Sequence, residues 1–488
     1  MRTKYALAAL ALSAATATTQ AATTINIHRG DRDTVSTKTH IIVGSTTPGN
    51  TVTINGNKTH VYKTGAFGAE LPLEHGDNPI SIAACDGNTS SETRLNVFRK
   101  ETTADSKNRP APYVQETAIA PTPVLTLPDA YLQYGNGDDR LGGSKMGYLA
   151  DGIPLKVIAE TEDLYKVELS QNRTAYIPKR LTSPTDLQPR QANTGSWSLT
   201  NTGNRDRVSI SLPHRMPYRS WIQPDPTTIH IEIFGATNNS NWITQRGDLG
   251  MIEYADCRQT DSDVLEIVIK LKEEHSWGYS VGYTGNNLTI EVKHTPRLSL
   301  KHLTIGLDAG HGGEYPGATS ATGLKESEIN LDIIMRIRDL LIKKGAKTVL
   351  SRDGDYSPTM AQRKQTFTDS DVDLMISLHN NSGGSPLKEM GTSTYYKHIS
   401  NRELASCLLD RMLELGLKNF GLTGNFNFSL NAPTEYPNAL IEVLFMSSLP
   451  EEEKLADPDF RQKVAEQTVR GIEDYIGKVR HSVTNRKR

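Results

Sequence analysis

Residues 301–478 alternate short apolar segments with longer segments of helical periodicity, and this alternation limits the fold more than any other feature of the chain. The pattern predicts strands at 303–307, 347–351, 374–378 and 440–444, and helices at 326–344 and 460–476. Gly345 is placed to end the first helix. Strands that alternate with helices favour an α/β domain with a mainly parallel sheet. Ligands of such sheets bind beyond the carboxyl ends of the strands.

Histidine and carboxylate side chains stand near those ends. His311 follows the first strand, His379 follows the third, Glu326 begins the first helix, and Glu442 lies within the last strand. Two histidines and a carboxylate are a common ligand set for hydrolytic Zn²⁺ and leave a fourth position for water. A second carboxylate nearby can take the proton from that water. Each residue alone has a structural explanation, but a carboxylate inside an apolar strand is costly to bury without a partner, so Glu442 favours function.

Residues 302–477 resemble the zinc-dependent N-acetylmuramoyl-L-alanine amidases. The matching segments are GLDAGHGG, GLKESEINLDI, VLSR, LMISLHNN and ALIEVLFMSS, in the order expected for that family. The resemblance implies a peptidoglycan hydrolase that cleaves the amide bond between N-acetylmuramic acid and L-alanine of the stem peptide. It implies that His311, Glu326 and His379 hold Zn²⁺, and it selects Glu326 over Glu328. It also implies zinc-activated water with Glu442 as general base and then general acid.

Further polar positions follow from the same resemblance. Asn330, Arg352 and Arg363 match recurring polar positions of the family, and we expect them to order the site. Two positions depart from the family pattern, which has an acidic residue at Tyr315 and alanine at Asn380. We expect both to lie near the metal and to affect the fit of the substrate.

Some members of the family carry an inhibitory helix between the second histidine and the catalytic glutamate. Between His379 and Glu442 this sequence predicts one helix, at about 401–415, and two strands. That leaves no room for an added helix, so we predict a site that is open without an activator.

The start of the chain has the layout of a secretory signal peptide. Arg2 and Lys4 precede the uncharged segment 5–17, and small residues that suit cleavage follow near Ala17 and Ala21. Residues 1–22 therefore predict export across the inner membrane, to the periplasm in preference to the extracellular space. No later apolar segment is long enough to span a bilayer, so we expect no integral membrane segment after cleavage.

The residues between the signal and the α/β domain alternate with the period of strands and predict all-β modules. Residues 44–84, with a hairpin signal at Asn55-Gly56, resemble bacterial immunoglobulin-like modules, and residues 146–183 resemble a bacterial SH3-like barrel. An SH3-like barrel of this kind serves either as a spacer or as a ligand site. The predicted organisation is an Ig-like sandwich at 23–100, a Pro-rich linker at 101–128, an SH3-like domain at 129–185, a further β-sandwich at 190–297, the catalytic domain at 301–478 and a basic tail at 479–488.

Composition excludes several classes of protein. Lys and Arg total 54 and Asp and Glu total 56, a formal net charge of −2, which argues against nucleic acid as the main partner. Peptidoglycan as the partner is what the family resemblance implies. The three cysteines, Cys85, Cys257 and Cys407, are too few and too far apart for a disulfide scaffold or a cysteine zinc site, and a Cys85–Cys257 bridge stays open. Two alternatives also stay open: a non-catalytic cell-wall-binding or adhesion protein with an inactive amidase domain, and a metal-dependent enzyme for another amide.

Overall fold

The computed structural model describes residues 23–30, 33–101, 114–137 and 142–486. These residues form two units, which divide between residues 101 and 102. The predicted signal at 1–22 lies outside the described residues. Within them, no helix combines the length and the apolar character needed to cross a bilayer. None of the three cysteines forms a disulfide.

The first unit is built from two β-sheets that share one hydrophobic core. Its strands are β1 (Ile25–Arg29), β2 (Thr34–Val35), β3 (Thr39–Thr46), β4 (Thr51–Ile54), β5 (Asn57–Thr59), β6 (Ala66–Pro72), β7 (Gly76–Cys85) and β8 (Ser90–Arg99). The sheet orders are β1-β3-β6 and β2-β8-β7-β4-β5. Ile42, Phe67 and Ile82 belong to the shared core. The all-β prediction for this segment is confirmed, and its immunoglobulin-like character stays a prediction.

The hairpin predicted at Asn55-Gly56 is confirmed. Both residues have positive φ, 51° and 77°, and the flanking strands β4 and β5 pair antiparallel. Two successive positive φ angles are what a tight two-residue hairpin turn requires, and Asn-Gly adopts them at low cost.

The second unit begins with further β structure. Its strands are β9 (Thr117–Thr126), β10 (Tyr131–Gln133), β11 (Lys145–Tyr148), β12 (Pro154–Glu160), β13 (Leu164–Ser170), β14 (Arg173–Pro178), β15 (Thr182–Pro184), β16 (Ala192–Asn193), β17 (Trp197–Asn201), β18 (Arg205–Ile210), β19 (Tyr218–Pro224), β20 (Thr227–Phe234), β21 (Ala236–Thr237), β22 (Ile243–Gln245), β23 (Ile252–Asp261), β24 (Val264–Leu271), β25 (Tyr279–Thr284) and β26 (Asn287–Lys293). The sheet orders are β11-β10-β14-β13-β12-β9-β15, β22-β17-β18-β26-β25, β19-β20-β24-β23 and the pair β16-β21. One hydrophobic cluster runs from Val124 through Trp197 to Ile290, so the β structure of 117–184 and that of 192–293 pack as one body.

The predicted linker at 101–128 is wrong over Thr117–Thr126, which form strand β9. β9 pairs with β12 along most of its length but with β15 only over residues 124–126. Pro121 and Pro123 lie in the part that has one neighbour, where a residue without an N–H removes no bond from a second strand. The prolines therefore belong to the part of a strand that is paired on one side only, and not to an extended linker.

The α/β part contains one six-stranded sheet with helices on both faces. Its strands are β27 (Thr304–Ala309), β28 (Lys347–Leu350), β29 (Leu374–Asn381), β30 (Thr392–Tyr395), β31 (Asn419–Thr423) and β32 (Asn438–Phe445), and its helices are α1 (Glu326–Lys343), α2 (Met360–Asp369), α3 (Arg402–Leu413), α4 (Leu449–Ala456) and α5 (Pro458–Arg486). The strand order is β28-β27-β29-β32-β30-β31, and only β30 and β32 pair antiparallel. The predicted α/β class with a mainly parallel sheet is confirmed.

The two faces of this sheet bury different layers. One face packs Ile305, Ile376 and Ile441 into the cluster that contains the apolar residues of α1, α3 and α5. The other face, which carries Met375, packs with Phe367 of α2. Because side chains alternate along a strand, residues 377 and 379 point to the α2 face.

The basic tail predicted at 479–488 is wrong as a separate segment, because α5 continues to Arg486. Val479 is fully buried and Val483 packs against the same core. Two further turns of apolar spacing thus extend the helix past the predicted end at residue 476.

We predict that Val479→Ala lowers the Tm of the α/β part, because an unfilled cavity in this core costs about 1–3 kcal/mol. The matched control is Lys463→Ala on the exposed side of the same helix, which should leave the Tm unchanged. Equal melting curves for the two variants would contradict the packing of the end of α5.

Candidate metal centre

His379 and Glu442 lie side by side near the carboxyl ends of two neighbouring strands. His379 is in β29 and Glu442 is its register partner in β32. Register partners of parallel strands point to the same face, and neighbouring strands are about 4.8 Å apart. Both side chains therefore lie on the α2 face of the sheet, and only 9% of Glu442 is exposed.

His311 follows β27 on a loop whose backbone is unusual. Its φ is +62°, and Gly312 and Gly313 also have positive φ, +135° and +53°. A residue with a Cβ atom rarely adopts this conformation, and such strain collects at functional sites. The residue before His311, Gly310, is needed for a steric reason: a Cβ atom there would lie 2.2–2.6 Å from the ring of His379.

Glu326 is the first residue of α1 and points its carboxylate at both histidines. Its Oε1 lies 3.1 Å from Nδ1 of His379 and 3.3 Å from Nε2 of His311. Oε1 also accepts the backbone N–H of Asn380 at 3.1 Å, and Oε2 accepts that of Ala318 at 2.8 Å. The side chain is therefore fixed from several directions before any ligand is considered.

The three side chains fit a single metal ion. One ligand atom from each of His311, Glu326 and His379 lies within 4.8 Å of the others, and this is the one such group found among the described residues. Tetrahedral Zn²⁺ with ligands at about 2.0–2.1 Å requires ligand atoms about 3.3–3.4 Å apart. Glu326 Oε1 lies 3.1 Å from His379 Nδ1 and 3.3 Å from His311 Nε2, close to the distance between two ligand atoms of a tetrahedral ion. The His311 side chain remains 35% exposed, so the group is open to solvent on one side.

The charges of this cluster stabilise one another. Burial alone would raise the pKa of Glu326, but hydrogen bonds from both imidazoles hold the pKa of that carboxyl well below its usual range. Burial alone would lower the pKa of His379, yet the hydrogen bond to Glu326 and the negative charge of Glu442 raise it. A carboxylate that stays ionised is the state required of a metal ligand.

Two buried guanidinium groups hold the backbone on which His311 stands. Arg352 donates to the carbonyl oxygens of Ala309 at 2.9 Å and Gly310 at 3.1 Å. Arg363 donates to those of Ala309 and His311, each at 2.8 Å. Each arginine is only 1% exposed.

Asn330, the third residue expected to order the site, lies beneath the same loop. Its Nδ2 donates to the carbonyl oxygen of Gly310 at 3.2 Å, and its Oδ1 accepts from Nδ2 of Asn380 at 2.8 Å. Asn380 is only 3% exposed, so the expectation that this side chain affects substrate fit is wrong. Tyr315 is 67% exposed on the loop after His311.

Sequence reasoning missed two buried carboxylates and their partners. Asp308 is fully buried beneath His379, where it pairs with Arg363 at 2.7 Å and accepts from Ser377 Oγ at 2.6 Å. Glu452 is fully buried and accepts from Ser320 Oγ at 2.7 Å, which ties down the loop before Glu326. The argument applied to Glu442, a polar residue within an apolar segment, would have found Ser377 and Asp308.

The segment between His379 and Glu442 is described throughout and contains one α-helix, α3, and the strands β30 and β31. This agrees with the predicted helix at about 401–415 and two strands. α3 packs with α5 on the face of the sheet opposite His379.

Comparisons with known proteins find relatives of the α/β part. The profile of the N-acetylmuramoyl-L-alanine amidase family matches residues 305–474. The chain is 33% identical over 201 residues to the uncharacterized protein YqiI of Bacillus subtilis (strain 168). The aligned region covers 40% of this chain and 96% of that protein. It is 32% identical over 196 residues to the germination-specific N-acetylmuramoyl-L-alanine amidase of the same strain, covering 37% of this chain and 82% of that protein. The solved catalytic domain of CwlV, an N-acetylmuramoyl-L-alanine amidase from Bacillus (Paenibacillus) polymyxa, covers 36% of this chain and 98% of its own at 29% identity, with a TM-score of 0.34.

The fold and the site define the class first: an α/β domain with a His–Glu–His group that could hold a metal ion beyond the carboxyl ends of its strands. The family profile, and two relatives matched over 96% and 82% of their own length, then identify the family. The chain belongs to the N-acetylmuramoyl-L-alanine amidase family, which confirms the resemblance read from the sequence.

We predict that Gly310→Ala weakens binding of a divalent metal such as Zn²⁺ by about 10–100-fold, because the new methyl group displaces the His379 ring. Competition with a chromophoric chelator measures the affinity. Gly477→Ala is the matched control, since a Cβ atom there meets nothing within 4 Å. Unchanged affinity in Gly310→Ala would show that His379 does not need its observed position.

Proposed function

We propose that this protein is a secreted N-acetylmuramoyl-L-alanine amidase that uses Zn²⁺ to hydrolyse peptidoglycan. The bond cut is the amide between the lactyl group of N-acetylmuramic acid and L-alanine of the stem peptide. The observation that carries the proposal is the His311–Glu326–His379 group, open to solvent, with Glu442 beside His379 in register. Relatives named as cell-wall amidases support the substrate and a site of action outside the cytoplasm.

His311, Glu326 and His379 would hold the zinc ion. When bound, zinc supplies Lewis-acid chemistry that acidifies water and polarises a carbonyl oxygen. The Glu442 carboxylate takes the proton of the attacking water and returns it to the amine nitrogen of the leaving peptide. Hydrolysis thus gives a free lactyl carboxylate and a stem peptide with a free amino terminus.

Three buried polar side chains hold the loop that carries His311 in place. Arg352, Arg363 and Asn330 hold the carbonyl oxygens of residues 309–311, which fixes the direction of the His311 ring. Residues around metal ligands commonly set their orientation and affect metal affinity. The β modules that precede the α/β part would act as spacers or wall contacts of immunoglobulin-like and SH3-like type.

We predict that Glu442→Gln keeps its zinc but loses about 10²–10⁴-fold in turnover, because the proton acceptor is gone. The assay digests purified peptidoglycan and measures free stem peptides alongside intact glycan strands, with metal content determined on the same samples. Glu328→Gln, exposed on α1, is the matched control and should stay active. Full activity in Glu442→Gln would refute the role of Glu442.

Removal of the metal gives a separate test. A chelator should abolish release of stem peptides, because it removes the ion from its three protein ligands. Added Zn²⁺ should refill the site and restore the release. Activity that survives complete metal removal would refute the zinc mechanism. A metal-loaded wild type that binds the wall but releases nothing would favour the non-catalytic wall-binding alternative.

We predict that the purified chain acts on peptidoglycan without a second protein, since the segment between His379 and Glu442 holds no α-helix beyond α3. The measurement is the rate of stem-peptide release by the chain alone and with added cell extract. A rate that rises from zero only with the extract would contradict an open site.

A further inference from the structure

A cavity of about 510 Å³ lies where three parts of the second unit meet. The SH3-like region contributes Tyr148, the following β structure contributes Tyr218, and the α/β part contributes Lys397, Glu435 and residues of α2. None of the residues of the candidate metal centre lines it. The volume is in the range of small-molecule sites, about 300–1,000 Å³.

Two side chains of opposite charge line this junction cavity without a counter-ion. Glu435 Oε2 accepts the backbone N–H of Thr434 at 2.8 Å, and no described Lys, Arg or His nitrogen lies within 4.0 Å of its carboxylate. Lys397 Nζ donates to the carbonyl oxygen of Lys145 at 3.1 Å, and no described carboxylate oxygen lies within 4.0 Å of it. The two groups therefore do not neutralise each other directly.

The charged side chains nearest to Glu435 form ion pairs with other residues. Lys364, on α2 at the cavity wall, pairs with Asp129, and Arg205 pairs with Asp371. Lys397 and Glu435 are both half-buried. Charged groups shielded from water are usually paired, so two that lack a counter-ion in one cavity call for an explanation.

The ionisation of both groups reflects the missing partners. Burial raises the pKa of Glu435, although the charges of Lys364 and Arg205 oppose this. Burial, together with the neighbouring charge of Lys145, lowers the pKa of Lys397 to about 8. Each shift has the sign expected when a charge lacks a counter-ion.

We propose that the junction cavity binds a small zwitterion, an amino acid or short peptide with free amino and carboxyl ends. Glu435 would receive the ammonium group and Lys397 the carboxylate. A ligand of this class supplies both missing counter-ions at once, whereas a simple anion or cation would supply one. This binding goes beyond the proposed hydrolysis and does not depend on it, although the peptide released by that reaction has the required ends.

Calorimetric titration of the full chain tests the proposal without any variant. The probes are alanine, dialanine and trialanine with free ends, N-acetylated trialanine, and trialanine amide. At least one probe with free ends should bind, and blocking either end of trialanine should remove its binding or weaken it about tenfold or more. Tightest binding of alanine identifies a free amino acid as the source, and tightest binding of trialanine identifies a released peptide. Failure of every free-ended probe, or equal affinity for blocked and free trialanine, would overturn the proposal.

Variants then locate the bound probe. Glu435→Gln and Lys397→Met should each weaken the tightest probe about tenfold, whereas Glu466→Gln and Lys463→Met, exposed on α5, should not. Unchanged affinity in both cavity variants would place the probe elsewhere, such as the catalytic cleft, and overturn the proposal. Peptidoglycan digestion is scored separately, so a chain that binds the zwitterion but hydrolyses nothing refutes the proposed function alone.

Discussion

The site depends on the hydrogen bonds from two buried guanidinium groups to the backbone of residues 309–311. A buried arginine is costly unless its N–H groups are satisfied, and here carbonyl oxygens of the loop satisfy much of that requirement. Arg363 is held in turn by Asp308 at 2.7 Å. Because these bonds fix a loop in which His311 has φ of +62°, they also fix where one of the three candidate metal ligands stands.

This arrangement connects the metal centre with the rest of the second unit through α2. Arg363 lies on the inner side of α2, whereas Gln362, Lys364 and Gln365 line the junction cavity. Lys364 pairs with Asp129, and its Nζ lies 4.0 Å from the ring centre of Tyr148; both residues belong to the β structure of residues 117–184. Helix α2, whose Arg363 bonds to the backbone of Ala309 and His311, is therefore also a surface on which the preceding β structure packs. A ligand in the junction cavity would touch the same helix.

Much of this could be predicted from sequence, for identifiable reasons. Buried parallel strands leave continuous apolar segments, so the main strands and the residues at their ends, His311 and His379, were readable. The choice of Glu326 over Glu328 came from family resemblance, and the structure shows why the two differ: Glu326 is buried against the histidines, whereas Glu328 is exposed. Arg352 and Arg363 bond mainly to backbone carbonyl groups, and no side-chain pattern reveals such partners. Strand β9 was missed because its prolines lie where only one neighbour pairs, which sequence composition does not report.

The proposed chemistry requires that His311, Glu326 and His379 together bind one zinc ion. X-ray absorption spectroscopy of the zinc-loaded protein tests it directly. We expect one zinc per chain with two imidazole nitrogens and carboxylate oxygen at about 2.0–2.2 Å, and one imidazole fewer in His379→Ala. A spectrum with sulfur ligands, or one that His379→Ala leaves unchanged, would contradict it.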